Sequence, residues 1–206
     1  MDEALELHLR RRKRRRQRRI VAVVGFMLIT IGLAWFFESQ ATTTIIVTRY
    51  ADTLVAGGND PGLSPHGQVR AQELARVLGD VDVVAGIDVI YTVDNQRARK
   101  TSEPLARKNN APVRTMDDPA DVEAVVAGIL REHKGKIILL ITEPELMQPV
   151  IAEMQGSKKL PAIQDREFDN LYIVSIPWFG KVKTLRLKFG SRFIPQATSS
   201  GADERA

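Results

Sequence analysis

Eighteen consecutive uncharged positions, residues 20–37 (IVAVVGFMLITIGLAWFF), interrupt a chain whose apolar runs are otherwise short. At about 1.5 Å per helical residue, a hydrocarbon layer roughly 30 Å thick takes about 18–20 apolar residues. The run predicts one membrane-spanning helix, and Trp35 near its end suits the headgroup boundary. A core helix of a soluble protein is rarely apolar on every side. From residue 42 the pattern changes to short strands alternating with amphipathic helices. Residues 42–49 (TTTIIVTR), 87–92 and 136–142 (KIILLIT) read as buried strands, and 112–115 as a short one. Helices are expected at 65–78, where Ser64 can cap and Pro65 fits the first turn, and at 96–109. A third runs from a cap at Asp118, followed by Pro119, to about residue 133, and a fourth spans 145–155 before Gly156. Residues 170–176 and 182–189 read as two strands around a turn at 177–180. The alternation predicts an α/β fold: a three-layer sandwich with a mainly parallel central sheet, closed by an antiparallel hairpin. Residues 193–206, rich in Ser, Ala and charge, read as a disordered tail.

Charge refines this division. The net charge is +5, which alone would suggest a nucleic-acid partner, but nine of the ten residues at 10–19 are basic. Residues 1–19 carry +6, leaving 21 basic against 22 acidic side chains in the rest. The basicity belongs to a stub, and no nucleic-acid partner is expected. With no cysteine, disulfides and thiolate chemistry are excluded. The positive-inside rule keeps residues 1–19 cytoplasmic and places a domain at 42–192 outside, in a bacterium the periplasm. A cleaved signal peptide is the rival, because Ser39-Gln40-Ala41 offers small residues; the length and aromatic end of the run favour an uncleaved anchor. Membrane lipid is then one partner, through the span and through the arginines, each contributing about 1 kcal/mol near an anionic surface.

In a parallel sheet, ligands sit at the carboxyl ends of the strands, here Arg49-Tyr50, residues 92–97 and residues 142–145. At these places the chain resembles a family. IIVTRYADT resembles the opening of the histidine phosphatase, or phosphoglycerate mutase-like, superfamily, where a strand ends in Arg-His-Gly-Glu. LSPHGQVRAQELARVL resembles its next helix, with Leu63, Gly67 and Ala71 in place. IYTVDNQRARKTSEPLA resembles its Ser-x-Leu-x-Arg-Ala block, and GKIILLITEPELMQPVIAEM its strand leading to Gly-His-Ser-Asn. EFDNLYIVSI followed by KTLRLKFG is similar to the closing hairpin of the short, SixA-like branch. The likeness spans about residues 42–190.

The departures carry the functional expectation. The resemblance implies a nucleophilic histidine where this chain has Tyr50, and a second, phosphoryl-holding histidine at Glu143. Thr142, Pro144 and Glu145 replace its glycine, serine and asparagine, and Val93 and Asn95 replace the Ser and Leu of the middle block. Arg49 and Arg97, which the resemblance makes phosphate-binding residues, remain. A neutral imidazole offers a lone pair at neutral pH, whereas a phenol with pKa near 10 needs a base or cationic help. A carboxylate at position 143 adds repulsion where phosphoryl transfer needs positive charge. The expectation is a pseudoenzyme: a membrane-anchored, catalytically degenerate domain serving as a binding or scaffolding module for an envelope or membrane protein, with weak phosphate or anion binding at most. The alternatives are an enzyme with Tyr50 as nucleophile and a sensor of a phosphorylated ligand. No cofactor and no metal is expected, since Asp52, Asp94 and Glu143 lack a spaced ligand set. His66 and His133 read as a surface residue and a helix-end residue, and Arg99 and Lys100 as a solvated face. The Trp178–Phe179 pair reads as packing on the domain edge, with contact to a partner or membrane as the alternative.

The orientation is testable on intact cells. Protease added outside is expected to digest the domain and spare an N-terminal tag; loss of the tag with protection of the domain contradicts it.

Overall fold

The computed structural model describes residues 2–38, 42–54, 58–79, 86–157, 159–161, 163–164 and 167–190. It divides into two units, Met1–Ala41 and Thr42–Ala206. The rival cleavage site at 39–41 and the expected tail at 193–206 lie outside the described residues.

The first unit is one helix, α1 (Asp2–Glu38). It extends beyond the apolar run through the arginines, residues of high helix propensity. Its segment Arg16–Phe36 is long and apolar enough to cross a membrane, with mean hydropathy 2.1 over its most apolar window. Val21, Phe26, Leu28 and Ile29 are exposed. The Thr30 hydroxyl inside the run donates to the Phe26 carbonyl at 2.9 Å, so this polar group is satisfied within the helix.

The second unit is built around six strands in the order β3-β2-β4-β1-β5-β6: β1 (Thr43–Arg49), β2 (Val89–Thr92), β3 (Val113–Thr115), β4 (Ile137–Thr142), β5 (Asn170–Ile176) and β6 (Lys183–Lys188). β4 sits between β1 and β2 and is parallel to both, which explains its run of residues without a polar side chain until Thr142. Ile138, Leu139, Leu140 and Ile141 are fully buried. β5 pairs antiparallel with β1, and β6 antiparallel with β5. Four helices complete the layers: α2 (Pro65–Gly79), α3 (Gln96–Asn109), α4 (Val122–Glu132) and α5 (Pro144–Glu153). α2 packs on α3, and α4 on α5.

Two local readings change. Asp121, not Asp118, caps α4, accepting from the Ala124 amide at 3.0 Å. Asp118 accepts from Ala120 two residues on, the Asx-turn geometry that delays the helix past Pro119. Of the Trp178–Phe179 pair, Phe179 does not pack on the domain edge: it is 85% exposed, whereas Trp178 is half-buried.

Gly67 shows how closely α2 is laid on the segment after β1. A Cβ there would meet the Asp52 carbonyl oxygen at 2.0 Å, and that oxygen already accepts from the Ser64 amide. Gly128 in α4 has open space around its missing Cβ. In a 42–192 fragment, which is expected to unfold in one cooperative step, Gly67→Ala should cost about 1–3 kcal/mol. Gly128→Ala should gain about 0.5–1 kcal/mol through helix propensity. Denaturant unfolding of the three proteins measures both signs; a neutral Gly67→Ala contradicts the close approach.

Candidate anion site

Parallel strands bring their carboxyl ends to one edge. Arg49 closes β1 opposite Thr142 of β4, so Tyr50 and Glu143 emerge side by side. The β2 end leads through Val93, whose amide bonds Ile141, to Asn95, which caps α3 by accepting from Ala98 at 2.8 Å. Arg97 therefore lies in the first turn of α3, facing the β1 end. Thr101 ties the two: its hydroxyl accepts from the Ala51 amide at 3.0 Å and donates to the Arg97 carbonyl at 2.7 Å. Four residues from three distant segments, Arg49 and Tyr50, Arg97, and Glu143, are brought together.

Arg49 is only 5% exposed. Burial lowers its pKa below the ordinary guanidinium value, and the Tyr50 oxygen, by charge and hydrogen bond, opposes the shift together with the Glu145 and Asp52 carboxylates. The group stays cationic. Its guanidinium stacks over Phe168 at 4.0 Å, reaches the Tyr50 ring at 5.4 Å and donates to the Glu167 carbonyl at 3.5 Å. Arg97 lies 4.5 Å from the same Tyr50 ring, and its Nη2 is 3.6 Å from Glu143 Oε1. Tyr50, 9% exposed, thus shares its ring with both cations. The Arg97–Glu143 pair is looser than a hydrogen bond and Glu143 is 41% exposed, which limits it to about 0–1 kcal/mol. At the start of α3, Asp60 accepts from the Gln96 amide through both oxygens, at 3.0 and 2.9 Å. The positive end of that helix already holds a carboxylate of the chain.

The other candidate residues go elsewhere. Asp52 pairs with Arg70 at 2.6 Å and Asp94 with Arg99, so these two and Glu143 each answer to a different arginine. Among the described residues no His, Asp and Glu cluster suits a metal ion. His66 is exposed. His133 follows α4 and has a partner the sequence did not suggest, the Tyr91 hydroxyl at 2.9 Å. The main residue missed by sequence reasoning is Phe168. It lies in the EFDN segment already noted before β5, but contact with a strand end more than a hundred residues away leaves no local signal. That segment is fastened by β6: Glu167 receives Arg186 at 2.7 Å and Lys188, and Lys188 also donates to Asp169 at 2.7 Å.

The family model of the histidine phosphatase superfamily (branch 1) matches residues 47–123. Among solved structures, the protein histidine phosphatase SixA complexed with tungstate is similar at TM-score 0.57 and 18% identity, over 70% of this chain and 96% of that one. A protein from Agrobacterium tumefaciens described as a phosphohistidine phosphatase SixA gives 0.54 at 17% identity, over 72% and 97%. YhfR of Bacillus stearothermophilus gives 0.51 at 17%, over 64% and 90%. No curated protein sequence matches the chain. The folded unit shares the fold of these solved histidine phosphatases. Its fold is the short, SixA-like form.

Burial alone would raise the Glu167 carboxyl, but Lys188 and the Gln164 amide outweigh it and hold its pKa below the ordinary 4.5. A carboxylate depressed by folding stabilises above its unfolded pKa, and that contribution is lost as pH falls through the folded value. Glu167→Gln should therefore cost about 1–3 kcal/mol at neutral pH. The difference should shrink only below about pH 4.5. Unfolding curves of both proteins across pH 3–7 check this, and a constant difference contradicts it.

Proposed function

We propose that this is a membrane-anchored, non-catalytic histidine-phosphatase-like domain, a pseudoenzyme whose anion site is filled by its own side chains and which serves as a binding module for a protein of the membrane or envelope. One observation carries the reading: Arg49 and Arg97 converge on the Tyr50 ring, with Glu143 beside Arg97. The resemblance gives positions 50 and 143 to histidines, a nucleophile and a phosphoryl-holding group. Here the first is an aromatic ring covering the cations, and the second is a carboxylate of the same sign as a phosphate. Each ring–cation contact is worth about 0.5–2 kcal/mol. Such contacts compete with an incoming oxyanion; the SixA neighbour was solved complexed with one, tungstate. The anchor is α1, with residues 1–19 on the cytoplasmic side and the domain external.

A second reading has one observation behind it. Arg49 interacts with the Tyr50 oxygen, and cationic help of that kind is what a tyrosine nucleophile requires. A phosphate-ester assay separates the two. Wild type and Tyr50→Phe are both expected to show no turnover above buffer. Turnover by wild type that Tyr50→Phe abolishes contradicts the pseudoenzyme and establishes the tyrosine mechanism.

A further inference from the structure

The turn between β5 and β6 carries the most exposed large apolar side chain among the described residues, Phe179 at 85%. Trp178 beside it is 51% exposed, the two ring centroids 6.5 Å apart. Gly180, at φ +114°, holds the tip in a conformation that other residues rarely adopt, so the backbone itself presents the aromatic pair outward. Exposed lysines follow at 181 and 183.

Strand register locates this tip. Thr43, the first residue of β1, pairs with Ile176, the last of β5. The tip therefore lies at the sheet end where the chain enters the domain, opposite the edge that carries Arg49, Tyr50, Arg97 and Glu143. Further basic residues collect at that entry end. Lys134 and Lys136 precede β4, and Lys159 follows the Ser157 amide that bonds Thr184 of β6 at 3.0 Å. Among the described residues there, Asp88, paired with Lys136, and exposed Glu153 offset part of this charge.

We propose that this end of the domain is a lipid-contacting face: Phe179 and Trp178 enter the headgroup region of an anionic bilayer, and the lysines meet its phosphates. An aromatic pair flanked by lysines is the composition that favours such an interface. Charge selects anionic over neutral lipid. The proposal rests on the membrane-anchored reading above and goes beyond it, because it assigns the domain, and not only its helix, a membrane contact. It also leaves the arginine edge turned away from the surface.

The sequence has two tryptophans, so Trp35→Phe leaves Trp178 as the sole emitter in the full chain. That chain, reconstituted into phosphatidylcholine–phosphatidylglycerol vesicles, should float with them. Its emission should be blue-shifted, quenched by brominated lipid and protected from iodide. Quenching should fall in phosphatidylcholine alone and in Lys181→Glu/Lys183→Glu, and be lost in Phe179→Asp. Flotation with Trp178 open to iodide and untouched by brominated lipid overturns the lipid face while sparing the anchor. Protection from iodide without lipid quenching also overturns it, and assigns the tip to a protein contact such as a second copy. Failure to float overturns the anchored reading, and this proposal with it.

Discussion

A guanidinium removed almost wholly from water must find its compensation inside the protein, and Arg49 imposes that requirement on the whole upper edge of the sheet. Leaving such a charge without partners would cost several kcal/mol. The chain answers with an aromatic ring on either neighbouring segment, Tyr50 after β1 and Phe168 before β5, and with the Glu167 carbonyl. Glu145 at the start of α5 adds a favourable charge. The segment that supplies Phe168 is in turn fixed by Arg186 and Lys188 of β6. The closing hairpin therefore does more than finish the sheet. It holds the lid over the buried cation, which explains why a strand so exposed to solvent carries two basic residues aimed back at the domain.

The same requirement distinguishes the two arginines. Arg97 keeps 23% of its side chain exposed and takes a partial, loose partner in Glu143. In the proposed reading Arg49 is a structural cation locked into packing. Arg97 is the one whose donors an incoming oxyanion would compete for, and Glu143 stands at that point.

Much of this is legible in the sequence. The apolar run, the strand–helix alternation and the order of the motifs around Arg49, Arg97 and Glu143 led to the fold, because hydrophobic period and strand ends are local properties. Element ends differ by up to three residues where caps compete, as Asp118 and Asp121 do before α4. Two kinds of feature were not legible. The first is long-range contact, such as Phe168 on Arg49 or Tyr91 on His133, which depends on register between distant strands. The second is exposure: an aromatic pair at a turn fits edge packing and outward contact alike, and the structure shows Phe179 exposed and Trp178 half-buried. The register also separates two ends of the domain, an arginine edge and a lysine-and-aromatic edge, that the sequence presents as one mixed surface.

The central claim is that the arginine edge is occupied from within. Phosphorus NMR of inorganic phosphate against wild type, Glu143→Gln and Arg97→Ala tests it most directly. Removing the carboxylate frees guanidinium donors suited to a tetrahedral anion. The account predicts no broadening or shift with wild type, a clear effect with Glu143→Gln, and none with Arg97→Ala. Phosphate binding by wild type that Arg97→Ala abolishes and Glu143→Gln leaves unchanged would contradict it.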